Sequence, residues 1–285
     1  MENNPGKKDI IFSDMDGTLI FHTKAHKVEE VGNNGDGTVS VLDPKTARVH
    51  RAYDCSTDKY KTYIGTDTLE LGQGLHRDHD MVIVSGARKN TMDGRKILLN
   101  FFDAAILENG ALVLDRDYNP DAEWQARIAP EMPALEEAKK QLDSLGWKMD
   151  NGGRTAMIRV RRAEDNPHKS DAEYEHLKNE LVLPEGIKKT SNLKFLDIIP
   201  ESAGKGNAVR YLMGKMGHTK SESIGIGDDD NDLEMLAETG RNYVLGSAFP
   251  KVIETARKQG WYVSKGVHFD GINEILRHIR APNEH

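Results

Sequence analysis

Cysteine is almost missing from this chain: among 285 residues there is one, Cys55. No internal disulfide can form, and such usage fits a reducing compartment, so a cytoplasmic location is expected. Cys55 lies in a polar, loop-like stretch, Asp54-Cys55-Ser56-Thr57-Asp58, with no strand or helix end to activate a thiolate. Long apolar runs are also missing; none approaches the roughly 20 residues of a membrane-spanning helix. Residues 1–8 lack the apolar segment of a signal peptide and read as a disordered lead-in. Positive charge is in the minority, with 39 Lys and Arg against 46 Asp and Glu and a net charge of −7. That balance argues against a nucleic-acid footprint, so neither nucleic acid nor membrane is an expected partner. A phosphate-bearing ligand would have to meet locally placed positive charge. Internal repeats and low-complexity tracts are absent as well, and a hydrophobic content of 37% with 30% charged residues excludes a fibrous or disordered chain.

What is present is a series of short, continuous apolar runs, each ending in a polar turn. Ile10-Ile11-Phe12 leads into Ser13-Asp14-Met15-Asp16-Gly17-Thr18. Met81-Val82-Ile83-Val84 ends in Ser85-Gly86-Ala87-Arg88, and Ala104-Ala105-Ile106-Leu107 ends in Glu108-Asn109-Gly110. Ser223-Ile224-Gly225-Ile226-Gly227 runs into Asp228-Asp229-Asp230-Asn231-Asp232. Runs of this kind suit strands buried on both faces, and alternation with helical segments predicts an α/β fold: a Rossmann-like doubly wound parallel sheet.

Between residues 111 and 195 the pattern changes to that of a smaller α+β unit. A helix after Pro130 carries Leu135, Ala138, Leu142 and Leu145, with Gly146 as its C-terminal cap. Alternating segments flank Asn151-Gly152-Gly153, a hairpin signal, and Ser170 with Glu173 forms a capping box for a second helix. Segments at Ile187-Lys188-Lys189 and Leu193-Lys194-Phe195-Leu196 read as strands. The expected organisation is a core of residues 1–110 and 196–285 with residues 111–195 inserted as a second unit. A further β-hairpin over residues 38–53 turns at Asp43-Pro44. His22 and His26 read as solvated loop histidines.

Ligands of α/β sheets bind beyond the carboxyl ends of the strands. That edge receives Asp14 and Asp16, Ser85, Asp228 and Asp232, with Lys205 opening a helix. Several carboxylates from separate strands suit a hard cation with oxygen ligands, most simply Mg²⁺. Lys205, the Ser85 hydroxyl and the backbone N–H groups around Gly17 suit the oxygens of a phosphoryl group. With that charge neutralised, a carboxylate can attack phosphorus to give an aspartyl-phosphate.

These residues resemble the haloacid dehalogenase-like phosphohydrolase superfamily. Its first motif stands here as Asp14-Met15-Asp16-Gly17-Thr18, its second as Ser85, its third as Lys205 in Gly204-Lys205-Gly206-Asn207-Ala208, and its fourth as Gly227-Asp228-Asp229-Asp230-Asn231-Asp232. The position of residues 111–195 between the second and third motifs is similar to that of the α+β cap of the subgroup with Cof-type and sucrose-phosphate phosphatases. The resemblance implies Asp14 as nucleophile and Asp16 as general acid and base. It implies Mg²⁺ held by Asp14, Asp228 and Asp16 through its backbone carbonyl, with Asp232 as ligand or support. Gly17, Thr18, Ser85, Gly86 and Lys205 would bind phosphate, and Arg88, Asn109 and Asn231 would contact substrate or support the site. On the inserted unit, Arg154, Arg159, Arg161, Lys188 and Lys194 are candidates for specificity. Two features depart from the superfamily pattern. Ser85-Gly86-Ala87-Arg88 replaces a common Thr-Gly-Arg, and the segment between Asp16 and Ser85 is long for a capped member. The hairpin inside that segment reads as decoration or as an oligomer contact, such as that of a homodimer. The expected activity is hydrolysis of a small phosphorylated metabolite, a sugar phosphate above others. The alternatives are a hexose phosphomutase of the phosphomannomutase kind and a non-catalytic binding or regulatory protein on the same fold.

Overall fold

The computed structural model describes residues 9–57, 61–166, 168–192 and 195–281. The lead-in at residues 1–8 and the candidates Leu193 and Lys194 lie outside these. The strand Ile10–Asp14, buried at all five positions, is the middle of a seven-stranded sheet. Ser223–Gly227, Arg241–Val244 and Tyr262–Val263 follow on one side; Asp80–Val84, Ala104–Leu107 and Leu112–Leu114 follow on the other. Every pairing is parallel except the last, Ala104–Leu107 with Leu112–Leu114.

The pleat sends alternate residues to opposite faces, and both faces are covered. Ile11, Met81, Ile83, Ile224 and Ile226 join one core cluster with Phe269, Ile272 and Leu276 of the last helix, His268–Arg280. Ile10, Phe12, Val82 and Val84 join the other with Val209, Leu212 and Met235. This explains why the strands read as unbroken apolar runs.

The inserted unit is a three-stranded antiparallel sheet, with Phe195–Pro200 between Ile158–Val160 and Ile187–Asn192. The helices Met132–Ser144 and Asp171–Glu180 supply Leu135, Ala138, Leu142, Tyr174 and Leu177 to a separate core with Trp147 and Ile198. Ser170 and Glu173 form the reciprocal capping box. Leu145 is exposed, because the helix ends at Ser144 and the chain reverses at Gly146, φ +77°. The boundaries differ from those expected. Leu112–Leu114 pairs within the seven-stranded sheet, whereas Phe195–Pro200 stays on the small sheet across the expected break at 195/196.

A third sheet accounts for the long segment before Ser85. Val39–Asp43 and Arg48–Asp54 pair as a hairpin, with Val41 opposite His50. They form part of a five-stranded antiparallel sheet in the order Phe21–His22, Thr62–Gly65, Arg48–Asp54, Val39–Asp43, Glu29–Asn33. Its buried Val39, Val41, Ala52 and Tyr63 enter the same core cluster as the last helix. Phe21 packs edge-on to Phe269 at 4.7 Å, and His50 stacks on Phe269 at 4.8 Å. Asp43 and His268, both buried, meet at 3.1 Å. Cys55 is buried near this sheet, and burial pushes its thiol up to about 11, away from a nucleophilic thiolate. Among the described residues no helix is long and apolar enough to cross a membrane.

Candidate active site

Asp14 ends the central strand, and its buried carboxylate accepts a hydrogen bond from Lys205 Nζ at 2.7 Å. Lys205 opens the helix Lys205–Lys215, and its amine also donates to Asp232 Oδ1 at 2.6 Å. Burial opposes the charge on this lysine, but Asp14 and Asp232 outweigh it and hold the amine protonated above the ordinary lysine range. Asp228 lies beyond the neighbouring strand, where its Oδ1 accepts from the Thr18 hydroxyl at 2.6 Å.

Gly17 is required by this close approach. Its φ is +96°, and a Cβ there would lie 2.5 Å from Asp228 Oδ2. Gly17→Ala is therefore expected to displace either the loop or Asp228 and to lower turnover by about 100-fold or more, on the scale at which misplaced reacting groups cost rate. Steady-state kinetics on purified variant checks this; unchanged kcat and KM would show that the loop tolerates the methyl group.

Asp14, Asp228 and Asp232 each offer an oxygen, and these oxygens lie within 4.8 Å of one another. Burial, and then repulsion from Asp232, push the carboxyl groups of both Asp14 and Asp228 well above their usual range, despite the Lys205 charge. Three buried carboxylates with one ammonium between them leave excess negative charge, and an all-oxygen donor set fits a hard divalent cation. Asp232 is the most committed of the three. Its Oδ2 accepts from the backbone N–H groups of Asp228 and Asp229, both at 3.0 Å, while Oδ1 takes Lys205. That arrangement suits support of the loop and the lysine.

The side chain of Asp16 stands outside this cluster, in keeping with the expectation that only its backbone carbonyl would face a metal. Its Oδ1 meets His22 Nε2 at 2.6 Å and Arg95 Nη1 at 3.1 Å. Burial would raise its carboxyl, but Arg95 and His22 pull more strongly and hold it far below the usual carboxylate range. Asp16 is therefore ionised here, the form able to take a proton from water. A metal contact from this residue rests on its backbone carbonyl alone. His22 is thus no solvated loop residue, and His26 is packed between Phe21 and His268, with centroids at 5.4 and 5.5 Å.

Ser85, just past the strand Asp80–Val84, is buried, and its Oγ accepts from the Ala87 backbone N–H at 3.1 Å. Its own O–H is left to donate. The Gly86 carbonyl accepts from Arg154 Nη1 at 3.2 Å, and Arg88 Nη1 donates to the Gly152 carbonyl at 2.6 Å and to Asp150 at 3.3 Å. Both contacts join the second motif to the inserted unit. Asn231 Nδ2 donates to Asn109 Oδ1 at 3.2 Å. Asn109 Nδ2 in turn donates to Asp197 Oδ2 at 2.8 Å, and Asp197 takes a two-pronged contact from Arg159 at 2.7 and 2.6 Å.

Three participants were not singled out in the sequence. Glu108 accepts from the backbone N–H groups of Thr155 at 3.0 Å and Ala156 at 2.9 Å, and burial pushes its carboxyl up. Asp197 and Arg95 are the others. Glu108 had a signal, since it follows a buried strand directly before Asn109-Gly110; Arg95 had none in its local sequence. Of the candidates on the inserted unit, Arg154 and Arg159 are largely buried toward the site, and Arg161 is exposed. The Lys188 amine lies beside Gly204, where a Cβ would be 3.1 Å from it.

A doubly wound sheet with a lysine and three carboxylates at its carboxyl edge is thus joined to a small α+β insertion. Among solved structures the chain is similar over 96% of its length to a sucrose-phosphatase from Synechocystis determined with sucrose and phosphate. The match covers 98% of that chain at a TM-score of 0.64 and 16% identity. A haloacid dehalogenase-like hydrolase protein of Bacillus subtilis matches over 96% of this chain and 92% of its own, at a TM-score of 0.59 and 15% identity. At these identities the likeness shows the fold. The family model for haloacid dehalogenase-like hydrolases matches residues 131–276, about half the chain, and the protein belongs to that family. Among curated relatives, the mannosylfructose-phosphate phosphatase of Agrobacterium fabrum is 35% identical over 85 residues, 29% of this chain and 34% of the relative. A putative phosphatase of Bacillus subtilis is 40% identical over 65 residues, 23% of this chain and 24% of the relative. The aligned stretches thus span about a third or less of those relatives' lengths.

Proposed function

We propose that the protein is a Mg²⁺-dependent phosphomonoesterase acting on a small phosphorylated metabolite, a sugar phosphate above others. The observation that carries this reading is the buried Asp14 carboxylate at the sheet edge, bonded to Lys205 at 2.7 Å beside Asp228 and Asp232. Family membership and the phosphatase names of its relatives support it.

Asp14 attacks phosphorus, forming an aspartyl-phosphate as the bond to the ester oxygen breaks. Asp16, ionised at rest, first takes up a proton from solvent or from a monoanionic phosphate ester; it gives that proton to the departing oxygen and later removes one from the water that hydrolyses the aspartyl-phosphate. Lys205, the Ser85 hydroxyl and the N–H groups of Gly17 and Thr18 hold the phosphoryl oxygens, with Gly86 shaping the loop. Asp14, Asp228 and the Asp16 carbonyl would hold Mg²⁺, with Asp232 in support; the bound ion supplies positive charge that lowers repulsion between nucleophile and phosphate. The three-stranded unit serves as a cap that excludes water, held to the core by Arg88, Arg154 and Glu108. Its inward Arg154, Arg159 and Lys188, with Asn109 and Asn231 beneath, form the surface that reads the rest of the substrate.

The test is phosphate release with Mg²⁺ across a panel of sugar, nucleotide and other small phosphate esters. Release that is strongest on sugar phosphates and abolished by EDTA is expected. Conversion of a hexose phosphate to its isomer without release would favour a mutase, and no turnover of any ester would favour a binding protein.

A further inference from the structure

We propose that His22, carried in by the five-stranded sheet, is a positioning residue that works with Arg95 to aim the Asp16 carboxylate at the substrate's ester oxygen. This inference rests on the phosphatase reading above. It gives the long segment between the first and second motifs a part in the reaction, in place of decoration.

The geometry is specific. His22 Nε2 and Arg95 Nη1 both bind Asp16 Oδ1, at 2.6 and 3.1 Å, and among the described residues these bonds and ion pairs fall on Oδ1 rather than Oδ2. One oxygen is clamped and the other is left for a reacting proton. A carboxylate on a turn beyond a strand would otherwise sample several rotamers, and each misplaced one is lost to proton transfer.

The clamp is itself held on both sides. His22 pairs with Thr62 and Phe21 with Tyr63 in the sheet, which sets the height of the imidazole. The His22 backbone N–H donates to His26 Nδ1 at 2.8 Å, and the His26 N–H returns to the His22 carbonyl at 2.9 Å. Phe21 is fully buried among His26, His268 and Phe269, so the strand is fastened to the last helix of the core. The buried Arg95 guanidinium also touches Met15 Sδ at 3.3 Å. Its position between the short helices Lys89–Gly94 and Lys96–Leu99 connects the clamp to the segment after Ser85. The imidazole Nε2 sits at hydrogen-bond distance from Asp16 Oδ1, and Gln, whose side-chain amide N–H reaches a similar point, is the conservative replacement.

The experiment compares kcat/KM for 4-nitrophenyl phosphate with that for phenyl phosphate, in wild type, His22→Ala, His22→Gln and Arg95→Met. Phenoxide, with a pKa of about 10 like the tyrosine side chain, needs a proton on leaving far more than the nitrophenolate does. The clamp predicts that His22→Ala and Arg95→Met raise the preference for the nitrophenyl ester at least about 10-fold, within the range that general acid catalysis contributes. His22→Gln should return the preference to within about 3-fold of wild type. General loosening of the fold would lower both esters alike. Wild-type turnover with a preference unchanged in His22→Ala and Arg95→Met overturns the positioning role and leaves the phosphatase reading standing. Absence of wild-type turnover on both esters overturns that reading and this inference together. Should His22→Ala fail to fold, Arg95→Met paired with His22→Gln decides between the same outcomes.

Discussion

Asp14→Asn is expected to lower phosphate release by at least about 1,000-fold, because a neutral amide cannot attack phosphorus to form the covalent intermediate. The substitution keeps the side chain's size, so Lys205 can still donate to the amide oxygen, and Lys205 keeps its bond to Asp232. The carboxyl of Asp14 is pushed up by burial and by repulsion from Asp232, so neutralising it relieves strain among the buried charges rather than adding any. Tm should therefore stay within a few degrees of wild type, and Mg²⁺ should still raise it, although less steeply with one carboxylate ligand gone. Phosphate release and a thermal scan with and without Mg²⁺ check both halves. Substantial residual hydrolysis in the variant would refute the assignment of Asp14 as nucleophile.

Lys205→Met should damage both rate and stability. The amine is buried, donates to Asp14 and Asp232, and is the positive group among three buried carboxylates. Methionine fills the aliphatic part of the space but leaves those charges without their partner. Removing one member of a buried ion pair costs about 3–5 kcal/mol, which lowers Tm on the order of 10 °C for a chain of this size. Turnover should fall by about 100- to 1,000-fold, the scale seen when one charge-stabilising donor is lost. Saturating Mg²⁺ should recover part of the Tm, since a cation can replace some of the missing charge. A Tm equal to that of wild type in EDTA would show that the amine does not hold the cluster together.

The seven-stranded sheet was legible because its determinants are local. Runs such as Ile10-Ile11-Phe12 and Met81-Val82-Ile83-Val84 show period-free burial, and the turn that follows each one marks its carboxyl end. The same holds for the helix begun by Ser170 and Glu173, whose cap lies within four residues. Boundaries were less legible. Leu112–Leu114 and Phe195–Pro200 are both apolar strands, and nothing within either says which sheet it will join. Of the five-stranded sheet, only the hairpin Val39–Asp43 with Arg48–Asp54 is legible in the sequence. Phe21–His22 is two residues long, and the edge strand Glu29–Asn33 is exposed throughout, so neither carries an alternating apolar pattern.

The candidate site divides in the same way. The amino-acid order by itself determined the chemistry on offer: which strand ends carry carboxylates, where a lysine opens a helix, and where glycine permits a positive φ. Those features are set by residue type and near neighbours. Only the tertiary structure decided which groups face one another. Asp16 meets Arg95 across 79 positions of sequence, Asn109 meets Asp197 across 88, and His268 meets Asp43 across 225. Such contacts depend on how sheets and helices pack over shared apolar cores, and a polar side chain in a loop carries no local mark of the partner it will find. His22 is the clearest case: beside its neighbours in sequence it is one more loop histidine, and in the folded chain its imidazole meets the Asp16 carboxylate at 2.6 Å.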